Sequence, residues 1–350
     1  MDWNELKKSI PDDGFAEKYE IYRRARPTVT LVVLRTVTDP ILFRSTDSER
    51  AETQEFNGTI HAQVNGEKFV SKERLTGLNL CRELDEKKET IISAEYTYNE
   101  PIPSLPKSQT ADLLTYGLAG TVSGATFSQK SRVIEGYTYS LEPYDLMNKE
   151  THNALYESGT MRDEAGGQSE ALFNPVKVQP RTHFVHFITL EAGTREMFLY
   201  LIHNILNTGR YGARETRTGR NMKNEIVGLI TSESDSSLSC GELICDYIKD
   251  AKDEFSRVDI QAAISAYIDN HKRADWRIYH AKDFSLAQGS EFPKWILDSI
   301  DVGNRSKIEH SLVLKNTLEI LRKQGLDIVN KKPTEKTKPD SNQNKITADE

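Results

Sequence analysis

The chain has 350 residues, with 46 Lys and Arg against 53 Asp and Glu, so its formal net charge is −7. This length suits two domains or one elaborated domain with a sizeable core, and three cysteines are too few for a disulfide framework. The sequence has no apolar run long enough to span a membrane and no secretory signal at its beginning. We therefore expect a cytoplasmic protein, and the acidic average argues against general binding of nucleic acid.

Apolar and β-branched patterning predicts an alternation of strands and helices before residue 232. Thr194 is the expected N-cap of the second helix, and Gly209 lies just beyond its end. The order strand, helix, strand, strand, helix, strand is that of the ferredoxin-like fold, here stretched by long insertions. The expected strands are 28–36, 56–64 with a bulge at Gly58, 132–141, 183–190 and 225–231; the expected helices are 74–84 and 194–207, followed by acidic helices at 242–254, 259–270 and 305–322.

Charges are distributed unevenly along the chain. Residues 209–223 carry five basic side chains and one acidic one, a net charge of +4, whereas residues 231–259 carry eight acidic and three basic ones, a net charge of −5. The local field rather than the net charge decides whether a polyanion docks. An acidic protein of this kind can therefore present a strongly positive face, although each run taken alone also suits an ordinary solvated surface.

Signatures of the common enzyme classes are missing from the sequence. There is no G-x-G-x-x-G fingerprint, no P-loop and no G-x-S-x-G elbow. His183 and His186 lie three apart on an expected strand and so face opposite sides, which argues against joint metal ligation. Cys240 and Cys245 lack the spacing of a zinc knuckle. We predict no catalytic residue, no cofactor and no metal site.

The strongest functional signal is the segment 209–223, which we call the basic loop. Its glycines allow a backbone to approach a ligand closely, and Arg214, Arg217 and Arg220 recur every three residues with threonines between them. Guanidinium, hydroxyl and backbone N–H groups are the donors that phosphate oxygens require, and none of them reads bases here. The loop therefore indicates sequence-independent binding to a nucleic-acid backbone.

Five blocks of sequence, in order, resemble one protein family. They are TLVVLRTVTDPILFRSTDSERAE (30–52), KERLTGLNLCREL (72–84), RVIEGYTYSLEPYD (132–145), the block 151–173 and the long block 181–230, which contains the basic loop. The chain resembles the Csc2 family of Cas7-type proteins, members of the RAMP superfamily that form the backbone of the type I-D CRISPR effector complex, Cascade. Some relatives carry a cysteine-rich, metal-binding insertion, but residues 99–116 here have no cysteine, so a zinc site is not expected.

The resemblance implies an α+β fold shaped like a right hand. Its parts would be a ferredoxin-like (modified RRM) palm, a thumb hairpin, finger insertions and acidic C-terminal helices. The implied ranges are the first half of the palm at 1–98, fingers at 99–131, a palm-associated strand at 132–147, the thumb at 148–181, the second half of the palm with the basic loop at 182–232, a C-terminal helical region at 233–326 and a disordered tail at 327–350.

The resemblance also implies a function. Copies of the chain would polymerise head to tail along CRISPR RNA (crRNA), hold its backbone without sequence specificity and leave the guide free to pair with a target DNA strand. Other partners would be the large subunit, the foot subunit at the crRNA 5′ end and the processing endonuclease, with no membrane. In the thumb, Met161 would act as an apolar wedge that unstacks a base step. The candidate RNA-binding residues are Arg24, Arg26, Arg44, Ser45, Lys72, Arg74, Arg132, Thr160, Met161, Arg162, Arg210, Tyr211, Arg214, Thr216, Arg217 and Arg220.

Three alternatives stay open on the sequence. A backbone subunit of this kind could also cleave complementary RNA or DNA through a metal held by an aspartate after the first strand, Asp47 or Asp39. A guide-processing endonuclease would need a general base near the basic loop, and His203, on the buried face of its helix, is a poor candidate. A generic RRM-core RNA-binding protein would share the palm without the assembly.

Overall fold

The computed structural model describes residues 2–19, 27–44, 50–85, 88–94, 96, 109–122, 125–144, 152–153, 172–173, 176–213, 219–248, 250–304 and 308–330. Within these ranges the chain is a mixed α+β protein with eight helices and a mostly antiparallel main sheet. The helices are α1 Trp3–Ser9, α2 Glu67–Asp85, α3 Ala111–Tyr116, α4 Arg195–Asn207, α5 Cys240–Tyr247, α6 Arg257–His271, α7 Lys294–Gly303 and α8 Ile308–Asn330. In this part of the chain, no helix is long and apolar enough to cross a membrane.

The strands of the described chain form one large sheet and two hairpins. The strands are β1 Thr28–Val37, β2 Glu52–Phe56, β3 Thr59–Val64, β4 Leu118–Val122, β5 Ala125–Gln129, β6 Val133–Glu135, β7 Thr138–Pro143, β8 His152–Asn153, β9 Leu172–Phe173, β10 His183–Glu191, β11 Met222–Ser232, β12 Arg277–His280 and β13 Ser290–Glu291. The main sheet has the order β13-β12-β11-β1-β10-β7-β3-β2, and β6 also pairs with β10. β4 with β5, and β8 with β9, form separate antiparallel pairs.

Strand β1 lies at the centre of the sheet and is covered on both faces. It pairs antiparallel with β10 and with β11, so that Leu31 lies opposite Ile188 on one side and Leu229 on the other. Leu31 and Val33 point toward the layer of α2 and α4, which α1, α7 and α8 cover from outside. Val32 and Leu34 point to the other face and pack with the residues of α5 and α6. Burial on both faces is why this strand reads as a continuous apolar run rather than an alternating one.

Several expected elements are confirmed with small shifts of their ends. The strands expected at 28–36, 183–190 and 225–231 are β1, β10 and β11. The second helix is α4, and the Thr194 hydroxyl accepts a hydrogen bond from the backbone N–H of Met197, as an N-cap does. The first helix begins earlier than expected, at Glu67.

Other expectations were wrong. Residues 56–64 are not one bulged strand: β2 and β3 form a hairpin whose turn residues, Asn57 and Gly58, have φ of 52° and 79°. An Asn-Gly pair with two positive φ angles is the type I′ turn that matches the twist of a hairpin. Residues 132–141 form two strands, β6 and β7, joined through Gly136. The helix expected at 242–254 is shorter, Cys240–Tyr247, and α7, Lys294–Gly303, was not expected; the helices expected at 259–270 and 305–322 are confirmed as α6 and α8.

Gly58 and Gly136 provide a matched test of the hairpin turn. A Cβ built at either position meets no atom within 4 Å, but Gly58 alone of the two has a positive φ, +79°. We expect Gly58→Ala to lower the free energy of unfolding by about 1 kcal/mol, because a side chain in the left-handed region is strained. Gly136→Ala should be neutral or slightly stabilising. Chemical denaturation of both variants checks this, and equal effects would contradict a purely conformational cause.

Candidate nucleic-acid interface

A cleft of about 520 Å³ lies between α2 and the start of the basic loop. Three of the predicted RNA-binding residues line it: Lys72 from α2, and Arg210 and Arg220 from the two ends of the basic loop. Among the described residues of the wall there is no acidic side chain; the remaining ones are Leu75, Thr76, Asn79, Asn207, Thr208 and Gly209. The cleft therefore combines cationic, hydroxyl and amide donors, the set that binds phosphate oxygens.

Two helices supply the rigid walls of the cleft. Lys72, Thr76 and Asn79 are spaced by four and three residues and so share one face of α2. Asn207 and Thr208 end α4, and the Thr208 hydroxyl hydrogen-bonds the Thr76 hydroxyl at 2.8 Å. This bond ties the end of α4 to the middle of α2, so the two polar walls keep a fixed spacing.

Gly209 gives Arg220 its position in the cleft. A Cβ at Gly209 would lie 2.8 Å from Cγ of Arg220 and 3.1 Å from its Nε. The aliphatic part of Arg220 therefore lies flat on the backbone of Gly209. Its Nε also donates to the Met222 carbonyl at 3.4 Å. Glycine is needed here because any larger residue would displace the arginine.

The first residues of the loop also pack on the segment after β1. Gly212 has a φ of +81°, and a Cβ there would lie 2.7 Å from the Leu42 carbonyl oxygen. The N–H of Ala213 donates to that same carbonyl at 2.8 Å. Arg44, two residues further along, is thereby held next to the basic loop, and its Nε is buried without a hydrogen-bond partner among the described residues.

A buried polar network lies directly beneath the cleft. The Arg35 guanidinium, inaccessible to solvent, donates through Nη1 to Glu73 Oε1 at 2.7 Å, to Asn224 Oδ1 at 3.1 Å and to the Tyr211 hydroxyl at 3.1 Å. It also stacks over the Phe69 ring at 4.4 Å. The Tyr211 hydroxyl donates in turn to Glu73 Oε1 at 2.9 Å. One cation thus links β1, α2, β11 and the basic loop.

The network holds a second carboxyl, that of Glu135, and a buried histidine. The Glu135 side chain is inaccessible and lies 4.0 Å from Arg35 Nη2 and 3.9 Å from His186 Nδ1. Burial, and then the nearby Glu73 carboxylate, raise the pKa of Glu135 well above its usual value. Burial and the charge of Arg35 lower the pKa of His186 to about 3. Arg35 is paired directly with Glu73, whereas burial disfavours the charged forms of Glu135 and His186.

The sheet face opposite α2 and α4 is closed. In single-strand binders with an RRM core, bases stack on exposed aromatic residues of this face. Here Phe187 is buried under Tyr267 of α6, with ring centroids 5.7 Å apart, and Phe56 and Tyr139 pack edge to face at 4.9 Å near α5. Among the described residues, these aromatic side chains are therefore packed against other residues rather than presented on an open sheet face.

Comparison with known proteins identifies the family and supports the fold. The family model Csc2, described as Csc2 Crispr, matches residues 14–296. The chain belongs to the Csc2 family. The fold is similar to that of the crystal structure of Thermofilum pendens Csc2, with a TM-score of 0.57 and 14% identity over 93% of this chain and 95% of that one.

A second similar fold is that of a chain in a CRISPR RNA-guided surveillance complex, pre-nicking. The TM-score is 0.53 and the identity 8%, over 79% of this chain and all of that one. Among curated proteins, no sequence matches the chain significantly. The Csc2 family expected from the sequence is therefore confirmed by the family match, and the two structures support the fold.

The predicted RNA-binding residues of this Csc2-family chain fall into four groups, one of which, Tyr211 and Arg132, is buried. Lys72, Arg210 and Arg220 meet in the cleft, with Arg44 next to the loop. Arg74 lies on α2 but makes a two-point contact with the Asp112 carboxylate, at 3.0 and 2.6 Å. The residues outside the described part of the chain are Arg24, Arg26, Ser45, Thr160, Met161, Arg162, Arg214, Thr216 and Arg217, together with Asp47 of the nuclease alternative.

Two predictions for RNA contact need correction. The side chain of Tyr211 is buried, and its hydroxyl is used within the Arg35 network. Arg132 is also buried, with its guanidinium 4.9 Å from the ring of Tyr19. Neither side chain reaches the surface, so neither can contact a bound strand. Both support the fold instead.

The sequence analysis missed the polar, uncharged part of the cleft. Thr76 and Asn79 could have been found from their helical spacing with Lys72, and Asn207 and Thr208 from their position at the end of α4. Asn221 had no such signal, because its role depends on a contact across the loop, described below.

The residues of the enzymatic alternatives are placed as follows. Asp39 is exposed, and its N–H donates to the Asn221 carbonyl at 3.4 Å. His203 is buried, as expected, and burial lowers its pKa to about 4. Within the described residues, no group of three or more His, Cys, Asp or Glu side chains is arranged to hold a metal ion.

Glu135→Gln tests the ionisation of the buried network. Because the native state holds the Glu135 proton more tightly than the unfolded state does, stability should fall as pH rises from the unfolded pKa of about 4.3 toward the raised native value. Glutamine cannot ionise, so the variant should be more stable than the parent at pH 7, with a flatter dependence on pH above 5. Chemical denaturation across pH measures this.

The control for this measurement is Glu55→Gln, the same change at an exposed position on β2. It should leave the difference between pH 5 and pH 8 unchanged. A Glu135→Gln curve parallel to that of the parent would show that the buried carboxyl does not retain its proton.

Proposed function

We propose that this Csc2-family chain is a repeated backbone subunit of a type I-D CRISPR effector complex, Cascade, and that it binds the sugar-phosphate backbone of crRNA without sequence specificity. The observation that carries the proposal is the cleft of Lys72, Arg210 and Arg220. The chain has a net charge of −7, yet the described lining of this cleft has three cations and no acidic side chain. Phosphate oxygens, rather than base edges, are the partners of this donor set.

The covered sheet face favours backbone binding at the cleft over the alternative of a generic RRM-core protein. Such a protein would bind bases on the aromatic residues of its sheet, where α5 and α6 pack here. A strand bound at the cleft would contact the protein through its backbone, which leaves its bases available for pairing with a target DNA strand. Sequence would then be read by base pairing, and the protein would hold rather than cleave the guide.

We also propose that the inner sheet is the ferredoxin-like palm of this hand-shaped fold. Its four inner strands lie side by side in the order β11, β1, β10, β7. Numbered one to four along the chain, these strands have the order 4-1-3-2, which is the antiparallel ferredoxin-like arrangement. Helix α3 with the hairpin β4–β5 would belong to the fingers at 99–131. The thumb assigned to 148–181 lies largely outside the described residues, and the tail from 331 onward lies wholly outside them.

Assembly follows from the proposed role. Copies joined head to tail through an interface that does not close would form a filament along the guide, and RNA bound across neighbouring copies would add to their association through linkage. The large subunit, the foot subunit at the crRNA 5′ end and the processing endonuclease would complete the complex. The acidic segment 231–259, which includes α5, would keep nucleic acid away from the covered face.

Removing the charges of the cleft tests the binding site. We expect Lys72→Gln, Arg210→Gln and Arg220→Gln combined to weaken binding of single-stranded RNA more than tenfold and to lower the slope of log K against log salt by about 2, because ~0.7 counterions are released per phosphate contact. The loss should be alike for unrelated sequences. Fluorescence anisotropy over a salt series measures it.

The matched control removes the same charge elsewhere on the surface. Lys252, Arg277 and Lys294 are exposed and are paired with Asp259, Asp13 and Asp298. Changing all three to Gln should leave the slope unchanged. An equal loss in the control, or a loss that depends strongly on RNA sequence, would contradict a backbone-binding cleft.

Assembly has its own test. The full chain co-expressed with a crRNA should purify as a multi-copy particle that contains a discrete short RNA. Size-exclusion chromatography with light scattering gives the copy number, and nucleic-acid extraction identifies the RNA. An RNA-free monomer that also fails to assemble on added guide would contradict the proposed role.

A further inference from the structure

One buried asparagine lies between the two arginines of the cleft. Asn221 directly follows Arg220 in the sequence, and its side-chain partner Tyr211 directly follows Arg210. Asn221 is 1% exposed, and Tyr211 is fully buried. The two residues close the base of the basic loop.

The Asn221 amide acts as a one-residue strand partner for Tyr211. The Tyr211 backbone N–H donates to Asn221 Oδ1 at 2.9 Å, and Asn221 Nδ2 donates to the Tyr211 carbonyl at 2.9 Å. A side-chain amide thus satisfies both backbone groups of one residue, as a neighbouring strand would.

The backbone of Asn221 is held equally firmly. Its N–H donates to the Gly209 carbonyl at 2.7 Å, and its carbonyl accepts from the N–H of Thr38 at 2.9 Å. Arg210 therefore lies between two residues, Gly209 and Tyr211, that are each bonded to Asn221. Arg220 is joined to Asn221 by the peptide bond and rests on Gly209.

These contacts set the two cations relative to each other. Without the Asn221 amide, residues 211 and 221 would lose two buried hydrogen bonds, and only the backbone bonds to the Gly209 carbonyl would still join the two ends of the loop, which loosens its base. The long side chains of Arg210 and Arg220 would then sample many arrangements, and binding would have to order them. A fixed pair avoids that cost when the ligand carries phosphates at a regular spacing.

We propose that Asn221 is the positioning residue of the cleft: its amide holds Arg210 and Arg220 as a preorganised pair for consecutive phosphates of a single RNA strand. This inference rests on the proposed function, since it concerns the same cleft. Asn221 itself is buried and does not touch the RNA; it acts through the two arginines.

A double-mutant cycle tests this role with the full chain and a short fluorescein-labelled single-stranded RNA of mixed sequence. We expect Asn221→Ala to weaken binding about five- to tenfold and to lower the salt slope by about 1. In the background Arg210→Gln/Arg220→Gln, the same substitution should have almost no further effect on affinity, because the groups it positions are gone. A loss of the same size in both backgrounds, or no loss in either, would overturn the proposal.

The control separates positioning from general destabilisation. Ser256→Ala removes the N-cap of α6, whose hydroxyl accepts from the Asp259 N–H, on the other side of the sheet. It should lower the midpoint of chemical denaturation and leave the affinity and the salt slope unchanged. If it changes them as Asn221→Ala does, the effect is general and the positioning role is wrong. If Asn221→Ala does not fold, the cycle is run with Asn221→Ser, which retains a hydroxyl at this position.

The cycle also distinguishes failure of the proposed function from failure of the proposed role of Asn221. If Arg210→Gln/Arg220→Gln binds RNA as well as the parent does, the cleft is not the binding site, and the proposed function fails. If that variant binds weakly and Asn221→Ala binds normally, the cleft stands and the positioning role of Asn221 fails.

Discussion

The guanidinium of Arg35 is buried in the centre of the sheet, and the arrangement around the cleft depends on its partners. Those partners come from three separate parts of the chain: Glu73 on α2, Tyr211 in the basic loop and Asn224 on β11. Breaking a buried ion pair by removing one partner costs about 3–5 kcal/mol, because a charge is left without compensation. A displacement of α2 or of the loop therefore carries a large penalty. The same cation that stabilises the fold holds the wall and the base of the cleft in register.

The second constraint is the covering of both sheet faces. Strand β1 contributes Leu31 and Val33 to one core and Val32 and Leu34 to the other. Helices α5 and α6 occupy the face on which an RRM-core protein stacks bases. The polar surface that we propose for RNA binding lies instead at the end of α4, on one face of α2 and at the basic loop. There the available donors are cations, hydroxyls and amides instead of aromatic rings, which favours a phosphate backbone over bases as ligand.

Net charge is a poor guide to this molecule because its charges are segregated. Lys72, Arg210 and Arg220 gather at one cleft, although the chain as a whole carries −7. Several other basic residues are neutralised locally: Arg74 by Asp112, Arg257 by Asp283 and Arg195 by Asp12. The charge that lines the cleft thus depends on which side chains the fold brings to its wall, and sequence distance does not reveal that.

Local pattern was enough for the central strands, for helix α4 and for the basic loop. The run of Thr28–Val37 forms β1 because β-branched residues favour strands, and Thr194 begins α4 because its hydroxyl caps an N–H within the same turn. The Asn57–Gly58 turn could also have been predicted from neighbouring residues, because an Asn-Gly pair favours a two-residue hairpin turn. The prediction of a bulge at Gly58 was therefore wrong although the local sequence contained the signal. The clustering of arginines in 209–223 likewise needs no fold to be seen.

The contact partners of those residues could not be predicted from local pattern. Nothing in the sequence indicated that Lys72 faces Arg210 and Arg220, that Arg74 is paired with Asp112, or that Tyr211 and Arg132 point inward. Asn221 looked like any loop asparagine, yet its amide joins two residues ten positions apart. Burial and ion pairing arise from contacts between segments that are distant along the chain. A residue's own neighbours in sequence therefore decide its backbone conformation, whereas the packed fold decides which charges remain exposed to bind a ligand.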